Sequence, residues 1–253
     1  MKTSALLVVL ALAPLGCAHS SSAVLLSPEA LQAIVSAPDR SEEDRALDPG
    51  RKPVEFLEFL QLAPGMKVAE LMAGGGYTAE LLARAVGPKG VVYGQNPKWL
   101  LERVAEKPWA ARLAKPVNQR IRRSDKPFEN PFPPNVTGLD LVVSNFIYHD
   151  TVNAKVDRAQ MNLAVRAALK HGGRYVICDS SAKPGSGLEA TETLHRIDEQ
   201  VVRSEVAAAG FEVLEEGNFL RNPEDPRDWS TSPGVAGARR GTGDRFCLDF
   251  KNP

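Results

Sequence analysis

The 253-residue sequence carries no net charge, with Lys+Arg 31 against Asp+Glu 31. A basic footprint is missing, so no nucleic-acid partner is expected. Cysteine and histidine are scarce, at three and four. Neither C-x-x-C nor H-E-x-x-H occurs, so no dedicated zinc or other metal site is expected. Long apolar runs are also lacking. The run over residues 5–15 falls short of the roughly 20 residues that a spanning helix needs. What remains is an ordinary globular composition, 43% hydrophobic and 25% charged. The length suits one large domain or two small ones.

That short run still carries information. It follows Lys2 and ends in Ala13-Pro14-Leu15-Gly16-Cys17. A positive start, a brief apolar stretch and small residues read as a secretory signal over 1–16. A small residue before Cys resembles the bacterial lipobox, which implies lipidation at Cys17, although Pro14 stands where that box prefers Leu. Ala18-His-Ser-Ser-Ser22 then reads as a flexible tether. The expected location is outside the cytoplasm, on a bacterial membrane through the lipid alone. A start codon placed too far upstream would instead leave a cytoplasmic protein. Export would let Cys178 and Cys247 pair; the plainer expectation is two buried free thiols.

The mature chain alternates helix and strand patterns. Ser27-Pro28-Glu29 starts a helix, with a cap, Pro at its first position and an acid in its first turn. Residues 39–53 are charged and aperiodic, a loop or broken helix serving as connector or as flap, with Arg45 or Arg51 available to an anionic ligand. The tether, first helix and flap thus occupy 17–52, and the main domain 53–253. A helix is expected over 54–62, and strands over 67–71, 91–94, 119–122, 139–145, 174–178, 211–215 and 245–250. Between them fall helices near 78–86, 98–106 (Trp99, Leu100 and Val104 facing the core), 155–169 and 188–209. Such alternation implies a parallel, doubly wound sheet, with the last two strands antiparallel at one edge.

The centre of the pattern is Val68-Ala-Glu-Leu-Met-Ala-Gly-Gly-Gly-Tyr77. An apolar strand turning through glycines into a helix leaves bare N–H groups at the helix start, where nucleotide-like ligands bind. The loose G-x-G-x-x-A also suits a dinucleotide. Three features favour another ligand: Glu70 at the strand end, the 86–94 turn into the second strand, and 168–176 entering the fifth before an antiparallel ending.

Together these resemble the class I S-adenosylmethionine-dependent methyltransferases, over about 53–250. The resemblance implies a Rossmann-like seven-stranded sheet of order 3-2-1-4-5-7-6 and S-adenosylmethionine as cofactor. It assigns the cofactor to Glu70, Met72, Ala73, Gly74, Gly75, Gly76 and Tyr77. Asn96 and Pro97 fall at the ribose, Asp125 at the adenine, and Ser144 and Asn145 at the end of strand four. Met72 stands where the family usually has Gly, and Asn96 where it has an acid. Methyl transfer from a sulfonium needs alignment, and a base when the nucleophile carries a proton. Tyr148, His149 and Asp150 lie just past strand four, with His149 the expected base. His195, Asp198 and Arg45 are expected to meet a small-molecule substrate through its O or N nucleophile. The alternatives are a non-catalytic lipoprotein that keeps the fold for a nucleoside-like or hydrophobic ligand, and an NAD-dependent oxidoreductase.

Overall fold

A computed structural model describes residues 24–253. The expected signal and Cys17 lie outside the described residues. Among the described residues three helices precede the sheet: α1 (Pro28–Val35), α2 (Glu42–Arg51) and α3 (Pro53–Phe59). The sheet follows as β1 (Lys67–Leu71), β2 (Val91–Gln95), β3 (Ile121–Ser124), β4 (Leu139–Asn145), β5 (Leu169–Ser180), β6 (Glu212–Gly217) and β7 (Arg245–Lys251). Its order is β3-β2-β1-β4-β5-β7-β6, with β7 antiparallel to both neighbours. The helices between strands are α4 (Tyr77–Val86), α5 (Lys98–Leu100), α6 (Glu106–Leu113), α7 (Tyr148–Asn153), α8 (Arg158–Ala168), α9 (Thr191–Leu194) and α10 (Glu199–Ala208). They cover both faces of the sheet, and each face has its own apolar core.

Four sequence expectations change. Residues 42–51 form a helix, although they lack an apolar stripe. Ser41 accepts from the Asp44 N–H at 3.2 Å, and three acids occupy the first turn. Ion pairs replace the apolar stripe: Arg40 grips Asp48 at 2.7 Å, and Arg112 of α6 reaches Asp44.

The second change is after β2. Residues Leu101–Ala105 wind as a π-helix, which shifts the buried face. Leu100, Leu101, Ala105 and Trp109 face the core; Trp99 and Val104 are exposed.

The third is the expected helix over 188–209, which is broken. His195 adopts φ 51°, Ile197 bridges Ser181, and α10 restarts at Glu199 under an Asp198 cap. Buried Arg196 drives the break, because its guanidinium binds Asp225 at 2.8 Å and the Trp229 carbonyl at 2.9 Å. An unbroken helix would not aim one residue inward for those bonds while exposing its neighbours.

The fourth is Cys178 and Cys247. They face each other across β5 and β7 and form a disulfide, where free thiols were the plainer expectation.

Candidate functional site

The carboxyl ends of β1 and β4 and the glycine turn open into one cavity of about 910 Å³. Helix α2 and the loop over 231–245 close its sides. Sites in open α/β sheets form at this end of the strands.

At the glycine turn, Met72 takes φ 49° and Gly74 φ 56°. Met72 thus occupies a left-handed conformation that favours glycine. Its N–H donates to Gln95 Oε1 at 2.9 Å, and this bond fixes the strained turn. Gly76 has no room for a side chain, since a Cβ there would lie 2.5 Å from the Trp109 ring. A Cβ on Gly74 would meet nothing nearer than the Met72 carbonyl at 4.0 Å. The open space beside Gly74 belongs to the cavity.

Glu70 sits at the cavity floor, buried, with Oε2 lacking a hydrogen-bond partner among the described residues. Burial raises its pKa to about 7, against the pull of the Thr78 hydroxyl and the Arg51 charge. Glu70 as a residue lines the cavity, and a buried carboxylate with so few partners suits a cationic ligand group. Tyr77 lines the same wall. Its hydroxyl donates to Asp48 Oδ1 at 2.6 Å, and the Arg51 guanidinium lies 4.3 Å from its ring centroid.

At the other end, His149, Asp150 and His195 converge. His149 is buried. Its Nδ1 lies 2.8 Å from Asp179 Oδ1, and its backbone N–H donates to Asp179 Oδ2 at 2.8 Å. A carboxylate only accepts, so Nδ1 is the donor. Nε2 then faces His195 Nδ1 at 3.2 Å and Asp150 Oδ1 at 3.4 Å. Burial pulls the His149 pKa down, but the Asp179 charge and hydrogen bond outweigh it and hold it at about 9. Burial, then the His149 charge, depresses His195. Burial raises Asp150, against the attraction of His149. His149 is therefore a charged partner at neutral pH, not the free base that its sequence position suggests.

The sequence-derived residues divide between the cavity and the frame. Glu70, Met72, Ala73, Gly74, Gly75, Tyr77, Asn145, His149, Asp150 and His195 line the cavity. Gly76 supports it from behind. Asn96 does not face it: Oδ1 accepts from the Gly74 N–H at 2.8 Å and Nδ2 donates to the Gly74 carbonyl at 3.2 Å. The amide thus clamps the glycine turn and is not free for ribose. Pro97 precedes α5, Ser144 is buried within β4, and Asp125 pairs outside with Arg123 at 2.7 Å. Tyr148 is fully buried, donating to Glu205 at 2.9 Å and accepting from Asn162, so it packs and does not catalyse. Asp198 caps α10 and accepts from the Gly185 N–H. Arg45 turns to the Ala37 and Arg40 carbonyls, away from the cavity.

Sequence reasoning missed Thr78, Phe146, Thr231 and Arg245 in the lining. Phe146 has φ 62° and follows β4 directly. A bulky residue in that conformation is a common mark of a functional turn, but φ is invisible in sequence.

Residues 52–115 match the family protein-L-isoaspartate(D-aspartate) O-methyltransferase. That region holds β1, the glycine turn, β2 and α6. A SAM-dependent methyltransferase from Aquifex aeolicus superposes with a TM-score of 0.58 at 16% identity, covering 90% of this chain and all of that one. The chain has the class I methyltransferase fold. The same fold is shared by the cyclase SpnF, with a TM-score of 0.54 at 14% identity, covering 80% of this chain and 82% of that one. A methyltransferase fold at such identities leaves the reaction to be argued from the site.

Proposed function

We propose that the protein binds S-adenosylmethionine in this cavity and transfers its methyl group to an O or N nucleophile of a small molecule. One observation carries the reading: the glycine turn with its unpartnered Glu70 oxygen and the His149–Asp150–His195 group line one continuous cavity. The donor's cationic part lies toward Glu70, against the bare start of α4. The acceptor lies toward Asp150 and His195, which take its proton as the bond to carbon forms. His149, held charged by Asp179, orients both. The sulfur leaves as a neutral thioether, so positioning supplies most of the acceleration.

The likeness to methyltransferase structures and the family match over 52–115 support this reading. The clamped Asn96 favours a second one, a non-catalytic relative that binds a different nucleoside-like ligand. Incubation with methyl-labelled donor and pools of hydroxyl- and amine-bearing small molecules separates them. The proposal expects S-adenosylhomocysteine to accumulate with one pool, and far less with His149→Ala. Absence of both donor binding and turnover in every pool would favour the second reading.

We further propose export and lipidation at Cys17. The buried Cys178–Cys247 disulfide supports an oxidising compartment. Growth with labelled fatty acid should label the wild type and not Cys17→Ala; label surviving the substitution would rule out that anchor.

A further inference from the structure

We infer that His149, Asp150 and His195 form a binding site for a divalent first-row transition ion, with zinc the best fit. His149 Nε2, His195 Nδ1 and Asp150 Oδ1 are separated by 3.2, 3.4 and 3.9 Å. Three points so spaced lie on a circle of radius about 2 Å, the bond length of zinc to imidazole nitrogen and carboxylate oxygen. Around a tetrahedral ion donors at that bond length lie roughly 3.3–3.4 Å apart, so two of the spacings fit and the His195–Asp150 one closes by about half an ångström. Two imidazoles and one carboxylate are a donor set that zinc and related ions accept.

A second feature is independent of those distances. Fully buried Asp179 accepts from His149 Nδ1, which directs Nε2 toward the other two donors. A carboxylate behind a ligating histidine is the usual outer support of a metal ligand, fixing tautomer and ring direction. Asp179 is itself fixed by the N–H groups of His149 and Ser180, at 2.8 and 2.7 Å. His195 reaches the group only because the chain breaks there at φ 51°. All three donors line the cavity, so the remaining coordination positions face the acceptor space. The absence of a short metal motif is no objection: Asp150 follows His149 directly, and the third donor comes from a different loop.

An ion here would take the place of the proton shared by the two imidazoles and would bind an acceptor oxygen, whose proton would then leave to water because Asp150 and His195 would be engaged as ligands. That consequence rests on the methyl-transfer reading, but uptake of the ion does not. The test is therefore run on the full chain without methyl donor. Chelator-treated protein is titrated with Co2+ and followed by its visible d–d absorption. One tightly bound ion per chain is expected, displaced by Zn2+. Asp150→Asn should weaken uptake at least ~100-fold, and Asp179→Asn about 10- to 100-fold. His195→Gly, whose backbone takes φ 51° without strain, should abolish the spectrum while circular dichroism stays unchanged. No uptake by wild type, or equal uptake by His195→Gly, overturns the inference and leaves a shared proton or another site. A calorimetric titration of the same samples with S-adenosylmethionine reads the donor site separately.

Discussion

At the residue scale, Glu70 and His149 are buried titratable groups with opposite tasks. Glu70 is buried with too little compensation, and its folded pKa of about 7 exceeds the ordinary 4.5. The folded state therefore keeps a proton that the unfolded chain releases. This contribution to stability is complete below pH 4.5 and disappears as pH rises to 7, about 3 kcal/mol in all. Glu70→Gln should flatten that part of the stability–pH curve in ligand-free protein, measured by urea midpoints. A cationic ligand reverses the preference, because it binds the ionised carboxylate. Affinity for S-adenosylmethionine should rise with pH up to about 7 in wild type, up to tenfold per unit, and stay flat in Glu70→Gln. A wild-type affinity flat across that range would place the cationic group elsewhere. His149 belongs to the acceptor end, so His149→Ala should cut turnover while donor affinity stays near normal. Equal loss of both would make His149 structural. Tyr148→Phe should cost about 1 kcal/mol of stability through its Glu205 and Asn162 bonds and leave turnover unchanged.

At the scale of elements, the glycine turn shows how far the sequence can be read. Its position, the strand before it, the helix after it and the sheet order follow from periodicity, glycine placement and the resemblance. The parts that failed share a cause: they depend on side chains meeting across the fold. Asn96 looks like a ribose ligand because it follows β2, yet it clamps Gly74. Arg45 lies in a loop-like charged stretch that ion pairs to Asp44 and Asp48 make a helix. His195 lay in an apparently continuous helix until Arg196 found Asp225. The close packing of Gly76 on Trp109 is equally non-local, and it yields a prediction. Gly76→Val should unfold or severely destabilise the protein, by ~3 kcal/mol or more, because both the Trp109 ring and φ 83° oppose a side chain. Gly74→Val differs, because its side chain would enter open space and meet only the backbone penalty.

For the whole molecule, the disulfide ties the last strand to the middle of the sheet. It spans 69 residues, which include the whole cavity-closing loop. Closing a loop of that length in the unfolded chain corresponds to about 4 kcal/mol of stabilisation. Reduction, or Cys178→Ala with Cys247→Ala, should lower the melting temperature by several degrees; an unchanged value would mean that β7 is held by its ladder alone. The central claim, however, is that one cavity joins a methyl-donor site to an acceptor site. Isothermal calorimetry with S-adenosylmethionine, S-adenosylhomocysteine and NAD tests it most directly. One site per chain is expected for the first two, with competition between them, no heat with NAD, and binding lost in Gly74→Val that keeps its fold by circular dichroism. No heat with either adenosyl compound, or binding that survives Gly74→Val unchanged, would contradict it.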